Sequence, residues 1–312
     1  MIAASTKYRL VTRSDFDGLV CAVLLKELDM IDDIKFVHPK DMQDGKIEIT
    51  ANDITTNLPY VESAYLVFDH HSSETIRNQA QKENYIIDPE APSAARVVYE
   101  HFGGQERFPH LSLEMMAAVD QADSAQFSAT EILNPQGWTL LNFLMDARTG
   151  LGRFKEFRVS NYNLMMQLIE CCKTQSIDAI LSLPDVQERV DLYFEQESRF
   201  KAQIQACATV YDNLIVLDLR HENVIYAGNR FMVYALFPQC NISIHLMCGR
   251  QKQNTVFATG KSIFNRSSKT NIGELMLKYG GGGHANAGTC QVDNDRGEAT
   301  LKELIAQITA DG

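Results

Sequence analysis

The sequence of 312 residues lacks the features that would place it in a special class of protein. It has no low-complexity tract and no internal repeat, and its composition, with 45% hydrophobic and 22% charged residues, is typical of a soluble globular protein. The opening segment MIAASTKYRLVTR contains no apolar signal core. The longest early apolar run, Leu19 to Leu25, is far shorter than the roughly 20 residues of a membrane span. These absences predict a cytoplasmic protein that does not enter a membrane.

The cysteines also lack the spacing of a disulfide framework or a zinc site. There are seven, an odd number, and no two of them form a C-x-x-C pair. Most of them lie among apolar neighbours, where a reduced thiol behaves as a small hydrophobic side chain. We therefore expect buried, reduced thiols.

Positive charge is scarce. The chain has 29 Lys and Arg against 40 Asp and Glu, which gives a formal net charge of −11. Such a surface repels a long polyanion, and no basic run with interleaved aromatics offers a channel for a long single strand. The charge balance excludes a duplex nucleic-acid binder, but it allows a small phosphorylated ligand held in a local positive or metal-bearing pocket.

Short apolar runs alternate with amphipathic stretches in the first half, which predicts an α/β fold with a mainly parallel N-terminal sheet flanked by helices. Strands are predicted over residues 8–12, 35–38, 47–50, 64–68 and 85–87, and helices over about 19–29, 94–101, 112–121, 137–146 and 161–172. A long charged helix over 186–210 is predicted to connect two domains, 1–185 and a smaller α/β domain over 211–312. The smaller domain is predicted to contain strands 213–219, 241–247 and 255–260 and helices 273–279 and 298–309.

Acidic and imidazole side chains follow three of the predicted strands. The first strand leads into Asp15 and Asp17, the second of these strands is followed by Asp53, and the third ends in Asp69-His70-His71. Ligands of a parallel sheet bind outside the carboxyl ends of its strands. We therefore expect the three groups to meet at one edge of the sheet.

Several carboxylates in close proximity repel one another, so such a site requires cations. Mixed Asp and His ligands suit Mn²⁺, with Mg²⁺, Co²⁺ or Fe²⁺ as competitors. Two such ions about 3.5–4 Å apart form a device for phosphoester cleavage. The sequence thus predicts a two-metal site.

Each motif alone has an ordinary alternative. An Asp-x-Asp-Gly segment such as Asp15 to Gly18 is more often a turn or a helix cap, and Asp53 alone would be a loop acid. Asp-His-His at the end of a strand is much less common. The occurrence of all three in order, after successive strands, favours a functional site.

A further acidic pair, Asp120 and Asp123, is spaced by one helical turn, so both side chains could face that site. The alternative is an ordinary solvated helix end.

The C-terminal half carries four consecutive glycines after a predicted helix. Gly281, Gly282 and Gly283 belong to this run, and His284 and Asn286 follow it. Backbone without Cβ atoms can approach an anion closely, although a flexible hairpin is an equally ordinary explanation. Upstream, Arg266 is suited to bidentate phosphate recognition, and Ser267 follows it. A lone arginine can also be surface decoration.

Taken together, these motifs resemble the DHH phosphoesterase superfamily, in the branch with a DHH-associated C-terminal domain related to nanoRNases, oligoribonucleases and exopolyphosphatases. The motifs fall in the family order over nearly the whole chain: Asp15-Phe16-Asp17-Gly18, Asp53, Asp69-His70-His71, Asp120/Asp123, Arg266 and Gly280 to His284.

The resemblance implies two divalent metals, usually manganese, and an active-site cleft between the two domains. By position, it implies metal ligation by Asp15, Asp17, Asp53 as the bridging group, His70 and Asp123, with Asp120 as the alternative to Asp123. It implies that His71 contacts the scissile phosphate and that Asp69 orients an imidazole. It implies that Arg266, Ser267, Gly281, Gly282, Gly283, His284 and Asn286 bind the far end of the substrate.

One position departs from the family pattern. Relatives commonly have a metal-ligating histidine two or four residues before the first Asp, where this chain has Arg13 and Val11. An arginine cannot ligate a cation. The substitution could weaken one metal site, narrow the substrate range or abolish turnover.

The resemblance implies a cytoplasmic Mn²⁺-dependent phosphodiesterase that uses metal-activated water to cleave very short 5′-phosphorylated oligonucleotides. The expected substrates are diribonucleotides such as pGpG, the linear product of cyclic di-GMP opening. An exopolyphosphatase or a pAp-type phosphatase with the same site is the alternative, and a non-catalytic nucleotide sensor is a further one. Relatives are often homodimers, so a homodimer is possible, with no duplex nucleic acid and no membrane as partner.

Overall fold

The computed structural model describes residues 7–71 and 82–312. Residues 1–6, which begin the segment without a signal core, and residues 72–81 lie outside this description. Within the described ranges, every helix is too short or too polar to cross a membrane.

The chain divides into two compact units. The first comprises Met1–Gln126, Gln136–Ala147 and Phe154–Asp191, and the second comprises Phe127–Pro135, Arg148–Arg153 and Leu192–Gly312. The boundaries expected from the sequence, at 185/186 and 210/211, stay a prediction.

The first unit contains a five-stranded sheet in which every neighbouring pair is parallel. The strand order is β2-β1-β3-β4-β5, and the strands are β1 Tyr8–Thr12, β2 Ile31–Phe36, β3 Asp53–Thr56, β4 Leu66–Asp69 and β5 Tyr85–Ile87. The predicted α/β fold with a parallel N-terminal sheet is therefore confirmed.

The prediction of a strand over residues 47–50 is wrong, because the third strand begins at Asp53. Ile47 and Ile49 pack instead against a buried apolar cluster that includes Val11, Met42 and Val67. The strand-like apolar pattern of residues 47–50 thus belongs to a loop whose apolar side chains pack against the core.

The α-helices as far as Cys207 are α1 Phe16–Glu27, α2 Pro39–Gln43, α3 Ala94–His101, α4 Gly104–Arg107, α5 Leu113–Asp123, α6 Ala129–Leu133, α7 Gly137–Met145, α8 Asn161–Cys172, α9 Ile177–Leu181 and α10 Pro184–Cys207. Of these, α6 belongs to the second unit, α10 runs from the first unit into the second, and the others belong to the first unit. Every residue of α1 from Phe16 to Leu25 is buried. A helix that is buried on all sides belongs to the core of its unit.

The second unit contains a six-stranded mixed sheet with the order β10-β11-β9-β8-β7-β6. Its strands are β6 Ala208–Tyr211, β7 Leu214–Asp218, β8 Ile242–Cys248, β9 Asn254–Lys261, β10 Gly282–His284 and β11 Ala287–Asp293. Its remaining helices are α11 Met232–Leu236, α12 Ile272–Leu277 and α13 Gly297–Asp311. Side chains of β7, β8, β9, β11, α12 and α13 share one buried apolar core.

The long helix predicted to reach residue 210 ends at Cys207. Ala208–Tyr211 instead forms a hairpin with β7, in which Tyr211 pairs with Leu214. Asp212 in the turn has a φ of +50°, a left-handed conformation that Asp and Asn tolerate better than most residues. The Asp-Asn turn was the local signal for this hairpin.

Candidate metal and phosphate site

Three neighbouring strands of the first sheet end at the same level. Val11 pairs with Thr55, and Thr56 pairs with Phe68, so β1, β3 and β4 run in step to their carboxyl ends. The hydroxyl of Thr56 donates to the hydroxyl of Thr12 at 2.7 Å, which ties the ends of β1 and β3 together. We refer to the edge that follows Thr12, Thr56 and Asp69 as the carboxyl edge.

Asp15 and Asp17 follow β1 at this edge and have different local roles. Asp15 is the N-cap of α1, and its Oδ1 accepts a hydrogen bond of 3.0 Å from the backbone N–H of Gly18. The helix-cap reading of this motif is therefore correct for Asp15, but one oxygen still faces Arg13, whose Nε lies 3.0 Å from Oδ2.

Gly18 permits the tight approach of α1 to the end of β1. A Cβ at this position would lie 2.1 Å from the carbonyl oxygen of Arg13 and 2.8 Å from Oγ1 of Thr12. Any larger residue would displace the loop that carries both aspartates.

Asp17 is a buried carboxylate at the start of a second helix. It is only 2% exposed, and its two oxygens accept hydrogen bonds from the backbone N–H groups of Ala95 at 2.8 Å and Ala94 at 3.2 Å, in the first turn of α3. Burial, and then the charge of nearby Asp123, raises the pKa of Asp17 well above its ordinary value. A cation bound next to this buried group would stabilise its charged form.

His70 is fixed between a backbone carbonyl and a carboxylate. Its Nδ1 lies 3.1 Å from the carbonyl oxygen of Ala91, and its Nε2 lies 2.8 Å from Oδ2 of Asp123. Because a carbonyl oxygen can only accept, Nδ1 carries a hydrogen and Nε2 is the nitrogen available to a metal. Burial lowers the pKa of His70, but the hydrogen bond to Asp123 and the charge of Asp17 outweigh it and raise that pKa to about 9.

Asp123, and not Asp120, reaches this histidine. Burial raises the pKa of Asp123. The hydrogen bond from His70 and the positive charge of that imidazole outweigh burial, so the pKa of Asp123 lies below its usual value. Asp120 instead accepts from Arg96 and from the hydroxyl of Ser93, the latter at 2.7 Å. Asp123 therefore lies in the cluster with His70 and Asp120 does not, while the choice of metal ligand between the two stays a prediction.

Asp17, His70 and Asp123 could hold a metal ion. One ligand atom from each lies within 4.8 Å of the others. Two carboxylates and one imidazole nitrogen match the preferences of a borderline divalent ion. Residues predicted from separate sequence motifs therefore converge here.

Asp69 and His71 form a second pair beside this cluster. Nδ1 of His71 lies 2.7 Å from Oδ1 of Asp69, which is fully buried and also accepts from the backbone N–H of His70 at 2.9 Å. The hydroxyl of Tyr85 donates to the other oxygen of Asp69 at 3.3 Å. The imidazole of His71 is 36% exposed, so its Nε2 can reach a substrate while Nδ1 remains bound.

Asp53 does not lie at the carboxyl edge. It is the first residue of β3 and pairs with Arg9 near the start of β1, so it lies at the amino end of the sheet. Its Oδ1 accepts from Nε of Arg9 at 2.7 Å, and its Oδ2 accepts from the backbone N–H of Thr50 at 2.7 Å. The expectation that Asp53 joins the other acids followed from the misplaced third strand, and it is corrected here.

Asn57 is the residue that follows β3 at the carboxyl edge, and sequence reasoning missed it. Its backbone N–H donates to the carbonyl oxygen of Phe68 at 3.0 Å, and its φ of +56° is left-handed. The side chain is 1% exposed, and neither Oδ1 nor Nδ2 has a hydrogen-bond partner among the described residues. The β-branched run Ile54-Thr55-Thr56 directly before it was the signal that could have located the strand.

The second unit contains the residues predicted to bind the far end of the substrate. Gly282–His284 pairs with β11, so the glycine run forms a hairpin. A Cβ added to Gly281 would lie 2.2 Å from the carbonyl oxygen of Thr289, and one added to Gly283 would lie 2.3 Å from the carbonyl oxygen of Ala287. A Cβ added to Gly282 would have no atom of the described residues within 4 Å. Two of these glycines are therefore explained by backbone packing.

The glycine hairpin and the loop that carries Arg266 both lie next to the end of β9. The backbone N–H of Lys261 donates to the carbonyl oxygen of Asn286 at 2.9 Å, and Nζ of Lys261 donates to that of Ser268 at 3.0 Å. Nε of Arg266 donates to the carbonyl oxygen of Ile263, and the hydroxyl of Ser267 donates to Asn265. Arg266, Ser267, His284 and Asn286 are all exposed.

Comparison with known proteins gives a match over the full length of the chain. The pGpG-specific phosphodiesterase PggH from Vibrio cholerae is 66% identical to this chain, with a TM-score of 0.89 over 98% of this chain and 100% of that one. CDC45 from Entamoeba histolytica is 9% identical, with a TM-score of 0.51 over 97% of this chain and 95% of that one, which indicates a shared fold. No family model matches the chain, and no curated protein matches it.

Proposed function

The chain belongs to the DHH phosphoesterase superfamily, and on that premise we propose that it is a phosphodiesterase that hydrolyses pGpG to two molecules of GMP. The observation that carries this proposal is its 66% identity, over the full length of both chains, to a pGpG-specific phosphodiesterase. In the reaction, water attacks the bridging phosphorus, the P–O3′ bond breaks, and O3′ takes up a proton. By this proposal the chain acts on the linear product of cyclic di-GMP opening.

The cluster of Asp17, His70 and Asp123 supports a dependence on a divalent cation, which we propose to be Mn²⁺, with Mg²⁺ or Co²⁺ as substitutes. Such an ion, when bound, neutralises charge on the phosphate oxygens and lowers the pKa of water. The three side chains hold it, and the backbone N–H groups of α3 keep Asp17 in place. Asp15, at the N-cap of α1, adds a third carboxylate near the same position.

His71 is proposed to act on the substrate directly. Its ring is oriented by the buried carboxylate of Asp69, so the exposed Nε2 can donate a hydrogen bond to the scissile phosphate or a proton to the leaving O3′. Asp69 is proposed to act through His71 by fixing its tautomer and stabilising its protonated form.

Residues of the second unit are proposed to recognise the remainder of the dinucleotide. A guanidinium such as that of Arg266 forms bidentate hydrogen bonds with phosphate, and Ser267, His284 and Asn286 add exposed donors. Gly282 is open on the side where a Cβ would project, so its backbone can be approached closely. Gly281 and Gly283, on either side of Gly282, complete the proposed set of substrate-binding residues.

We also propose that the enzyme works in the cytoplasm. All seven cysteines are free, which suits a reducing compartment.

A substrate panel tests the proposed function. The purified chain is incubated with pGpG, with 5′-phosphorylated oligonucleotides of two to ten residues, with pAp and with polyphosphate, in Mn²⁺ and in EDTA, and the products are separated by chromatography. We expect GMP from pGpG in Mn²⁺ only, and much slower release from the other substrates. Faster cleavage of decanucleotides or polyphosphate would contradict the proposal.

The role of His71 is tested in the same assay. His71→Ala is expected to lower kcat by about 100-fold or more, as for the loss of a general acid. His110→Ala is the matched control, because His110 is an exposed imidazole that lies in none of the motifs. Equal activity of the two variants would remove His71 from the mechanism.

A further inference from the structure

We infer that the site holds one divalent cation and that the guanidinium of Arg13 supplies the second positive charge that another metal ion would provide. The inference rests on the proposed function and deepens it, because it specifies how many ions the phosphoesterase site uses. Three features of the carboxyl edge support it: the residue after β3, the position of Arg13, and the balance of charge.

The residue at the end of the central strand of the site is neutral. β3 lies between β1, which leads to Asp15 and Asp17, and β4, which leads to the Asp69-His70-His71 tripeptide. A carboxylate at this position could bridge two cations, but the chain has Asn57 there, and Asp53 lies at the opposite end of the strand. An amide oxygen can bind a cation, yet it brings no charge to hold two of them close together.

The burial of the Asn57 amide indicates that this side chain has a functional role. Its buried amide has no hydrogen-bond partner among the described residues, and an unsatisfied buried polar group costs about 1–3 kcal/mol. A buried group retained under this penalty is best explained by a ligand that it contacts when the site is filled.

Arg13 places a permanent cation among the acids. Its Nε lies 3.0 Å from Oδ2 of Asp15, and the pair is only partly exposed, at 29% and 25% of the two side chains. The guanidinium therefore repels any second metal ion beside Asp15.

The charges balance with a single ion. Asp15, Asp17 and Asp123 provide three negative charges, which one divalent cation and one guanidinium neutralise. Asp69 is already committed to His71 and the backbone. A second divalent ion would leave the site with excess positive charge at a position where no bridging carboxylate holds it.

Metal stoichiometry tests the inference without any measurement of activity. The metal-free full chain is titrated with Mn²⁺ by isothermal calorimetry, and bound Mn²⁺ is examined by electron paramagnetic resonance. We expect one equivalent, lost in Asp17→Asn, with the six-line spectrum of an isolated ion. The inference would be overturned if two equivalents of Mn²⁺ bind with the altered spectrum of coupled ions and Asp17→Asn abolishes their binding. It would also be overturned if the chain binds no Mn²⁺ at all.

Variants of Arg13 test the part played by the guanidinium. Arg13→His removes the fixed charge and supplies a ligand, so a second equivalent of Mn²⁺ is expected, with spin coupling between ions about 3.5–4 Å apart. Arg13→Gln removes the charge alone, and we expect it to bind the first ion several-fold more tightly. Arg9→His, near the amino end of the strand that Arg13 follows, is the matched control and should still bind one ion.

The outcomes separate this inference from the proposed function. If the chain binds two ions and cleaves pGpG, the one-ion site is wrong and the function stands. If it binds one ion and leaves pGpG intact, the function is wrong and the one-ion site stands. If Arg13→His and Arg13→Gln both bind Mn²⁺ as the unmodified chain does, the role assigned to Arg13 is wrong.

Discussion

Nε2 of His70 lies 2.8 Å from Oδ2 of Asp123, and this pair joins the end of β4 to the end of α5. The orientation of the ring is fixed by the carbonyl oxygen of Ala91, so Nε2, which faces the carboxylate in the metal-free chain, is also the nitrogen that would bind the proposed cation. A proton and the metal ion would therefore compete for one position between these two side chains.

This competition predicts how the stability of the metal-free chain depends on pH. The pKa of His70 is raised from 6.5 to about 9 in the folded chain, so the folded state binds this proton more tightly than the unfolded state does. Its contribution to the free energy of unfolding is fully present below pH about 6.5 and is lost as the pH rises through about 9. We expect the melting temperature in EDTA to fall over this range.

The same pH series on His70→Gln isolates the histidine from other groups that titrate near pH 9. The variant should show a clearly smaller loss of melting temperature between pH 6.5 and 9. Parallel curves for the two proteins would contradict the assignment of the proton to this pair.

Asp17→Asn is predicted to separate metal binding from stability. Burial, followed by the charge of Asp123, raises the pKa of Asp17, so its negative charge destabilises the metal-free fold at neutral pH. Asn removes this charge, but it can accept only one of the two backbone N–H hydrogen bonds that the carboxylate of Asp17 accepts, so the two effects oppose each other. We therefore expect the melting temperature in EDTA to change by less than about 2 °C, which corresponds to under roughly 1 kcal/mol in a domain of this size. Calorimetry should show that Mn²⁺ binding is lost, and the stabilising effect of added Mn²⁺ should be lost with it.

The sequence predicted most of this site because its motifs are local and their strands are strongly patterned. The strand before Asp69 and the helix before Asp123 lie close to where the apolar pattern placed them. The misplaced strand before Asp53 shows the limit of such reasoning, since the run at 47–50 and the true strand at Asp53–Thr56 are both rich in β-branched residues. The pairing of Asp53–Thr56 with β1 and β4 decides between them, and these pairings are long-range contacts.

The glycine run shows a second limit of the sequence. A hairpin and an anion-binding loop both call for glycine, and close backbone packing at Gly281 and Gly283 is visible only in the fold. Asn57 was missed for a similar reason, because its importance arises from burial without a partner and not from its residue type.

Asp53→Asn is predicted to show the opposite pattern to Asp17→Asn. Burial raises the pKa of Asp53, but hydrogen bonds from Arg9 and Thr50 lower it below its usual value overall, so its charge stabilises the fold at neutral pH. The variant should lose about 2 kcal/mol in the free energy of unfolding measured in urea, because it weakens hydrogen bonds to a buried charged group. Its Mn²⁺ stoichiometry should be unchanged, and loss of metal binding in a folded variant would return Asp53 to the site.

Gly281→Ala and Gly282→Ala are predicted to have different effects, although the two glycines are adjacent. A Cβ at Gly281 would lie 2.2 Å from the carbonyl oxygen of Thr289 and 2.6 Å from Cβ of Cys290, whereas a Cβ at Gly282 meets nothing within 4 Å. Gly281→Ala should therefore lower the free energy of unfolding by about 1–3 kcal/mol, as expected for overpacking. Gly282→Ala should change it by less than about 0.5 kcal/mol.

The kinetics of the same two variants test whether the glycine run contacts the substrate. If the backbone at Gly282 approaches the dinucleotide as proposed, the added methyl group should raise KM for pGpG several-fold and leave kcat within about twofold, since it interferes with binding away from the reacting phosphorus. A stable Gly282→Ala protein with an unchanged KM would reduce the run to a structural hairpin. Recognition of the far end of the substrate would then have to come from the side chains of Arg266 and His284.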